Sequence, residues 1–284
     1  MIRIVKPSAT IVELTNNICK DIERVGRICY KSEDKITDKS APVFVDRMIA
    51  KGHSSVLEFG IISVLFDDST LFAAKGESLL RSKYLNISLT DDGVKVTGSL
   101  RSFRELINGN VCASFLGLRH FLSVNYPSFF VAIDDNEDEY LKHWTQVFNH
   151  DVTLVKFVLT RSISHELVRH RVMSFMQESQ RYCRYDECLT VVEPRWFDQG
   201  SEMSSYWRLH MNRCHEQYVK ALIHLTPQDA RGLLPEDTKT ELYCLGTNDQ
   251  WKQLFRLRCQ PAAHPEMQRI MIPLKSEFQR TGRI

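Results

Sequence analysis

The sequence predicts a mixed fold of helices and strands, α/β of the α+β kind. Three observations predict it. β-Prone runs occur at residues 1–12, 61–66 and 151–159; amphipathic helical spacing recurs at 16–30, 41–51 and 250–258; and Asp92-Gly93 between two β-prone stretches is the usual mark of a tight hairpin.

In chain order, Met1 to Val12 reads as a strand. Asn16 to Tyr30 follows as a helix carrying Ile18, Ile22, Val25 and Cys29 on one side, with Arg27 to Tyr30 closing it. Ala41 to Lys51 repeats the pattern through Val45, Met48 and Ile49, and Gly52 is placed to stop it, because glycine enters the left-handed conformation cheaply. The polar stretch His53 to Phe59 is either a capped turn or the lining of a site. Ile61 to Phe66 is a strand ended by Asp67-Asp68-Ser69. Tyr84 to Leu89 and Val94 to Thr97 flank the hairpin, and Ser99 is placed to cap a helix through Leu100, Phe103 and Leu106. A helix is expected at Val111 to Val124 and an acidic solvated loop at Asp134 to Tyr140.

Asp151 to Leu159 is apolar on both alternating faces, as a doubly covered strand should be. Ser162 is the expected cap of the next helix, and residues 172 to 188 form a polar turn. Met203 to Leu225 is a long helix with Tyr206, Leu209, Tyr218, Leu222 and Leu225 as its stripe. Gln250 to Arg258, with Trp251, Leu254, Phe255 and Leu257, is the last strong helix.

The 284 residues, 43% hydrophobic and 25% charged, suit one large domain or two small ones. No Gly/Ser or Pro-rich linker and no repeat divides them, so 1–284 reads as one domain with an insertion at about 67–150. A net charge of +2 gives no global attraction to nucleic acid or membranes, and a cationic site must come from local clustering. The eight cysteines lack any C-x-x-C pair and follow no secretory signal, so reduced thiols and a cytoplasmic location are expected. No uncharged run reaches the roughly 18 to 20 residues that span a bilayer.

Polar chemistry converges most densely at residues 161–185. Arg169, His170 and Arg171 stand together, and Ser179, Gln180 and Arg181 follow a seven-residue spacer. A guanidinium fork matches phosphate or carboxylate with two parallel bonds, so this stretch reads as an anion site; solvated arginines at a helix end are the plainer alternative. His165 and His170 are five apart, about 140° around a helix, which misses the i, i+4 geometry of a zinc protease; no metal is expected. None of the twelve glycines forms a Rossmann or Walker phosphate loop. Ser179 has no nucleophile elbow around it and reads as a binding hydroxyl.

Arg169-His170-Arg171, seven residues and then Ser179-Gln180-Arg181-Tyr182 resembles the signature of the flavin-dependent thymidylate synthases. Gly52-His53-Ser54-Ser55 through Glu58 resembles that family's G-H-x-[ST]-x-x-E segment, Ala230-Arg231-Gly232-Leu233-Leu234-Pro235 its A-R-x-x-L-P segment, and Leu257-Arg258 with Ala263 and Glu266 its closing segment. The resemblance covers roughly residues 1–66 and 151–275. It implies a single-domain fold with a central, mostly antiparallel sheet and long helices, assembled as a homotetramer with shared sites. It implies methylation of dUMP to dTMP, with methylenetetrahydrofolate as carbon donor, NADPH as reductant and FAD as hydride carrier.

Residue by residue, the resemblance puts Glu166 and Arg169, then Gln177, Glu178, Ser179, Gln180 and Arg181, with Arg231 and Arg258, at dUMP. It puts Ser55, Glu58, Arg169, His170, Arg171 and Gln177 at FAD, and makes Arg258 the catalytic position that favours ionisation at uracil N3. Thr247-Asn248-Asp249 stands where the family shows Asn-x-Arg, and Gln253 where Asn or His is common; Asn248 and Gln253 are then the flavin contacts there. The rival expectation is a nucleic-acid-binding protein whose arginines grip backbone phosphates.

Overall fold

The β-prone run Val152–Thr160 lies inside an antiparallel sheet in the computed structural model, which describes residues 1–75, 79, 82–108, 117–131 and 140–284. The described strands are β1 (Ile2–Val5), β2 (Ser8–Val12), β3 (Ile61–Phe66), β4 (Leu85–Thr90), β5 (Gly93–Ser99), β6 (Trp144–Val147), β7 (Val152–Thr160), β8 (Ser174–Gln177), β9 (Leu189–Val192) and β10 (Lys239–Thr247). The chain divides into two compact units. One holds Met1–Glu13, Arg24–Ile36 and Val152–Ile284; the other holds Leu14–Glu23 and Thr37–Asp151.

In the first unit the sheet order is β2-β7-β10-β8, all antiparallel, with Leu154 opposite Leu245 and Thr160 opposite Lys239. The expected strand at 1–12 is two strands: β1 pairs in parallel with β9 while β2 pairs with β7. Pro7 between them has no N–H to give a ladder, which suits the break. Helices Asn248–Arg258 and Pro265–Arg280 supply Trp251, Leu254, Phe255, Met267, Ile270, Leu274 and Phe278 to a core with Val155, Phe157 and Leu159. Each such side chain contributes roughly 1.5–3 kcal/mol by leaving water. Trp251 also donates its indole N–H to the Thr153 carbonyl at 3.0 Å, so its polar edge is satisfied inside the core.

Three expectations are corrected here. The last helix is Pro265–Arg280, not the one ending at Arg258; Pro273 inside it hides a regular 267, 270, 271, 274, 278 apolar spacing. Residues 172–188, expected as a polar turn, contain β8, and the strand β10 beside it, with Thr240, Leu242 and Cys244 alternating as a buried face, has no counterpart among the expected elements. On helix Glu202–Ala221 the expected Tyr218 is buried, but it shares the buried face with Trp207 and Met211, whereas the expected Tyr206 and Leu209 are exposed. A one-residue error of phase turns a helix by about 100°.

The second unit holds an antiparallel sheet of order β4-β5-β3-β6. Gly93 takes φ +136° at the β4–β5 turn, and a Cβ there would collide with the Phe66 carbonyl, so the turn needs glycine. Ser99 accepts a bond from the Ser102 amide at 3.0 Å at the start of helix Leu100–Asn108, as expected. Helix Leu118–Asn125 matches part of the expected helix at 111–124; residues 111–116 and the expected acidic loop at 134–139 lie outside the described residues. Both four-stranded sheets are therefore antiparallel, β1 and β9 form a separate parallel pair, and the fold is α+β, with two four-stranded sheets where one central sheet was expected. Among the described residues no helix is long and apolar enough to cross a membrane.

Candidate active site

Helix Arg161–Leu167 leaves the end of β7 and turns its apolar side, Ile163 and Leu167, into the core. Its cap is Thr160, whose hydroxyl accepts from the Ile163 amide at 3.1 Å. The expected cap, Ser162, instead shares a 2.9 Å bond with the Thr160 hydroxyl. With that side buried, Glu166 and Arg169 are left toward solvent, and the chain turns at His170 into Val172. Val172 has φ +69°, a conformation that costs a β-branched residue about 1–3 kcal/mol. Backbone strain of that size immediately after Arg169-His170-Arg171 is the sort that gathers at functional sites.

Arg258 closes on this turn from the last residue of its helix. Its Nη1 donates to Glu166 Oε2 at 2.9 Å, its Nη2 to the Glu166 carbonyl at 2.9 Å, and its Nε to His170 Nε2 at 2.8 Å. Because Nε2 accepts, the His170 ring is neutral with its proton on Nδ1. Burial, and then the Arg258 charge, lower the His170 pKa, which keeps that form in place. Residues 88 and 92 positions apart are thus held in one rigid charge-assisted cluster. Arg169 and Arg171 on either side of His170 are exposed and enter no ion pair among the described residues.

The Gln177 amide donates to Ser164 Oγ at 2.8 Å and Thr240 Oγ1 at 3.1 Å, tying β8 to the helix and to β10. Glu178 is 2% exposed and its carboxylate points inward, accepting from Tyr185, Lys239 and the Glu241 amide. Its side chain is therefore out of reach of a ligand, unlike the expectation from the motif. The turn beyond it is tight: Ser179 O accepts from the amides of Tyr182 at 3.1 Å and Cys183 at 2.9 Å, and Ser179 Oγ from Arg181 N at 3.3 Å. Gln180 is half-buried, and Arg181 is exposed with its Nε on Gln228 Oε1 at 2.9 Å.

Gln228 belongs to the short helix Pro227–Ala230, directly before the 3₁₀ turn Arg231–Leu233, so Arg181 and Arg231 are brought to the same segment. Arg231 is exposed. Arg161, absent from the expected set, is tied to the chain just beyond that segment: its amide donates to the Thr238 carbonyl at 3.0 Å, and that of Ser162 to Glu236 O at 3.3 Å. Burial lowers the Arg161 pKa, and the neighbouring Arg231 charge lowers it further. The remaining expected residues lie elsewhere. Asn248 is the first residue of its helix, half-buried behind the Thr247–Gln250 capping box, and Gln253 is exposed on that helix. Ser55 and Glu58 belong to the second unit; Ser55 is exposed, and Glu58 accepts from Arg101 Nη1 at 2.7 Å.

No local pattern announces the support beneath this turn. Glu241 receives Lys31 at 2.8 Å, Lys156 at 2.6 Å and Lys239 at 2.9 Å. Burial pushes its pKa up, but the three ammonium groups hold it far below the usual carboxylate range. These partners lie up to 210 positions apart, so only the alternation of charged residues with buried ones along β10 could have hinted at them.

These features define an α+β protein with a preorganised guanidinium–imidazole cluster beside a turn carrying further arginines. Residues 135–281, just over half of the chain, match the family model described as thymidylate synthase complementing protein. The chain belongs to that family. It is similar to the flavin-dependent thymidylate synthases of Synechocystis sp. (27% identity over 162 residues, 49% of this chain and 70% of the relative), of Pyrococcus furiosus (29% over 164 residues, 52% and 66%) and of Mycobacteroides abscessus (26% over 186 residues, 58% and 73%). Among solved structures, the UMP/dUMP methylase PolB of Streptomyces cacaoi bound with 5-Br UMP aligns over 98% of this chain and 92% of its own, at 11% identity and a TM-score of 0.44.

Proposed function

We propose that this chain methylates dUMP to dTMP reductively, taking the carbon from methylenetetrahydrofolate, with NADPH as reductant and FAD as cofactor, in a homotetramer. The observation that carries the reading is the Arg258–Glu166–His170 cluster, assembled from two of the family's sequence blocks in one unit of a family member. Arg258 is assigned the catalytic role. A guanidinium already fixed by Glu166 and His170 need not reorganise when negative charge develops on the uracil ring, and stabilises it most where water is excluded. Arg181 and Arg231 hold the nucleotide phosphate, with Ser179 and Gln180 donating alongside them. Gln177 and Glu166 shape the pocket, and Glu178 takes part through its backbone.

The donor set fits a flavin dinucleotide: a neutral His170 with a free Nδ1–H, flanked by two exposed guanidiniums outside any ion pair among the described residues, suits a pyrophosphate. When bound, FAD supplies the hydride. Arg169, His170 and Arg171 would hold it, Arg169 also reaching dUMP, with Asn248 and Gln253 as further contacts; Ser55 and Glu58 of the second unit are proposed as flavin contacts on the family's motif alone. Residues 67–150 are proposed as a family-variable insertion in a single domain, and the enzyme as cytoplasmic. The test is direct: purified protein should carry flavin absorbance, or acquire it with FAD, and convert dUMP. A colourless protein that stays colourless and binds polynucleotide with a steep salt dependence would mark a nucleic-acid-binding protein instead.

A further inference from the structure

Glu178 sits between two of the ligand-facing residues in sequence, yet its carboxylate is buried and fully engaged. Oε1 accepts from the Tyr185 hydroxyl at 2.8 Å; Oε2 accepts from Lys239 Nζ at 2.8 Å and from the Glu241 amide at 3.2 Å. Tyr185 is itself buried, packs its ring against Tyr218 at 6.2 Å, and gives its carbonyl to His215 Nε2 at 2.8 Å. Lys239 is shared with Glu241, so the ammonium group ties β10 to both carboxylates. The bond from residue 178 to residue 185 therefore closes the segment 179–184 at both of its ends. Inside that closed segment stand Ser179, Gln180 and Arg181, whose own backbone is held, among the described residues, by only the short-range bonds of Ser179 and by Ser179 N on the Cys29 carbonyl.

We propose that Glu178 and Tyr185 are positioning residues, a buried carboxylate–phenol staple that fixes the Ser179–Arg181 turn in the conformation that receives the nucleotide. The physical reason is loss of freedom before binding. A turn whose ends are joined through a desolvated, charge-assisted bond has little conformational entropy left to lose when a ligand arrives. The inference rests on the reading of the turn as the dUMP site, and assigns to Glu178 a task that its place in the motif does not reveal. Burial, and beyond it Glu178, push the Tyr185 phenol pKa far above its usual value, so the hydroxyl keeps its proton and remains the donor.

Tyr185→Phe removes one hydroxyl while keeping the ring against Tyr218. In the FAD-loaded enzyme it should raise KM for dUMP roughly tenfold, the scale of one lost bond to a charged group, with kcat at saturating dUMP and the flavin spectrum unchanged. Trypsin should also cleave the folded variant faster after Arg181 and Arg184, both exposed on the segment. If Tyr185→Phe does not fold, Glu178→Gln, which leaves one acceptor for three donors, is measured in the same two ways and should shift both in the same direction. Wild-type KM together with wild-type cleavage would overturn the staple; a loss confined to kcat would do so as well. Calorimetry separates this from the parent reading. No heat with dUMP in the wild-type enzyme removes both, whereas wild-type binding matched by an equal Kd in Tyr185→Phe removes the staple alone.

Discussion

Arg258 and Arg231 are both arginines of the candidate site, and the protein treats them oppositely. Arg258 spends every nitrogen on Glu166 and His170 and is largely shielded; Arg231 is exposed, with Arg161 as its close charged neighbour. A guanidinium locked by its own protein is suited to stabilising charge that appears during a reaction, because its orientation costs nothing at that moment. One left in water is suited to catching a phosphate, and its contribution should fade with salt.

The largest expected effect breaks that contrast from the Arg258 side. Arg258→Ala should lower dUMP binding or turnover at least tenfold, since a charge-assisted bond is worth about 1.5–3 kcal/mol. Steady-state kinetics unchanged from wild type would remove Arg258 from the site. Arg231→Ala should act differently, raising KM for dUMP several-fold, about 1 kcal/mol, with a weaker salt dependence than wild type and an unaltered melting temperature. A fall in kcat with KM unchanged would place Arg231 in the chemistry and erase the distinction.

A smaller effect tests the imidazole. Burial and the Arg258 charge hold its folded pKa below the usual imidazole value of about 6.5, so below that pH the unfolded chain takes the proton first. Stability should therefore be complete above about pH 6.5 and decline as pH falls toward the folded value. His170→Asn should flatten this acid-side decline in melting temperature relative to wild type. An identical decline in both would mean that His170 protonates freely. The least effect is expected at Ser179→Ala, which forfeits an acceptor for the Arg181 amide at 3.3 Å, worth under about 1 kcal/mol, and should keep measurable activity. Complete loss of turnover with intact dUMP affinity would make Ser179 a reacting group.

Much of this was legible where physics is local. Trp251, Leu254 and Phe255 mark their helix because an apolar stripe repeats every three to four residues, and Gly93 marks its turn because only glycine sits there without a clash. Pro265–Arg280 was hidden by Pro273, which reads as a stop although packing of Met267, Ile270, Leu274 and Phe278 outweighs its missing bond. The stripe of Glu202–Ala221 is ambiguous in sequence because exposed Tyr206 and Leu209 are as apolar as the buried Trp207 and Met211; sequence records composition, and only a neighbour decides which side is covered.

The sequence by itself determined the mixed fold, the strands at 61–66 and, to within a residue, 151–159, and the residues that carry charge, because these depend on periodicity and side-chain chemistry. Tertiary structure alone decided which of those charges are held and which are free. Glu166 and Glu178 are both acidic residues of the motif, but one meets Arg258 at the protein's edge and the other is sealed beneath Tyr185 and Lys239. Their cationic partners, Arg258 and Lys239, lie 92 and 61 positions away, and no local rule of spacing reaches that far to find them.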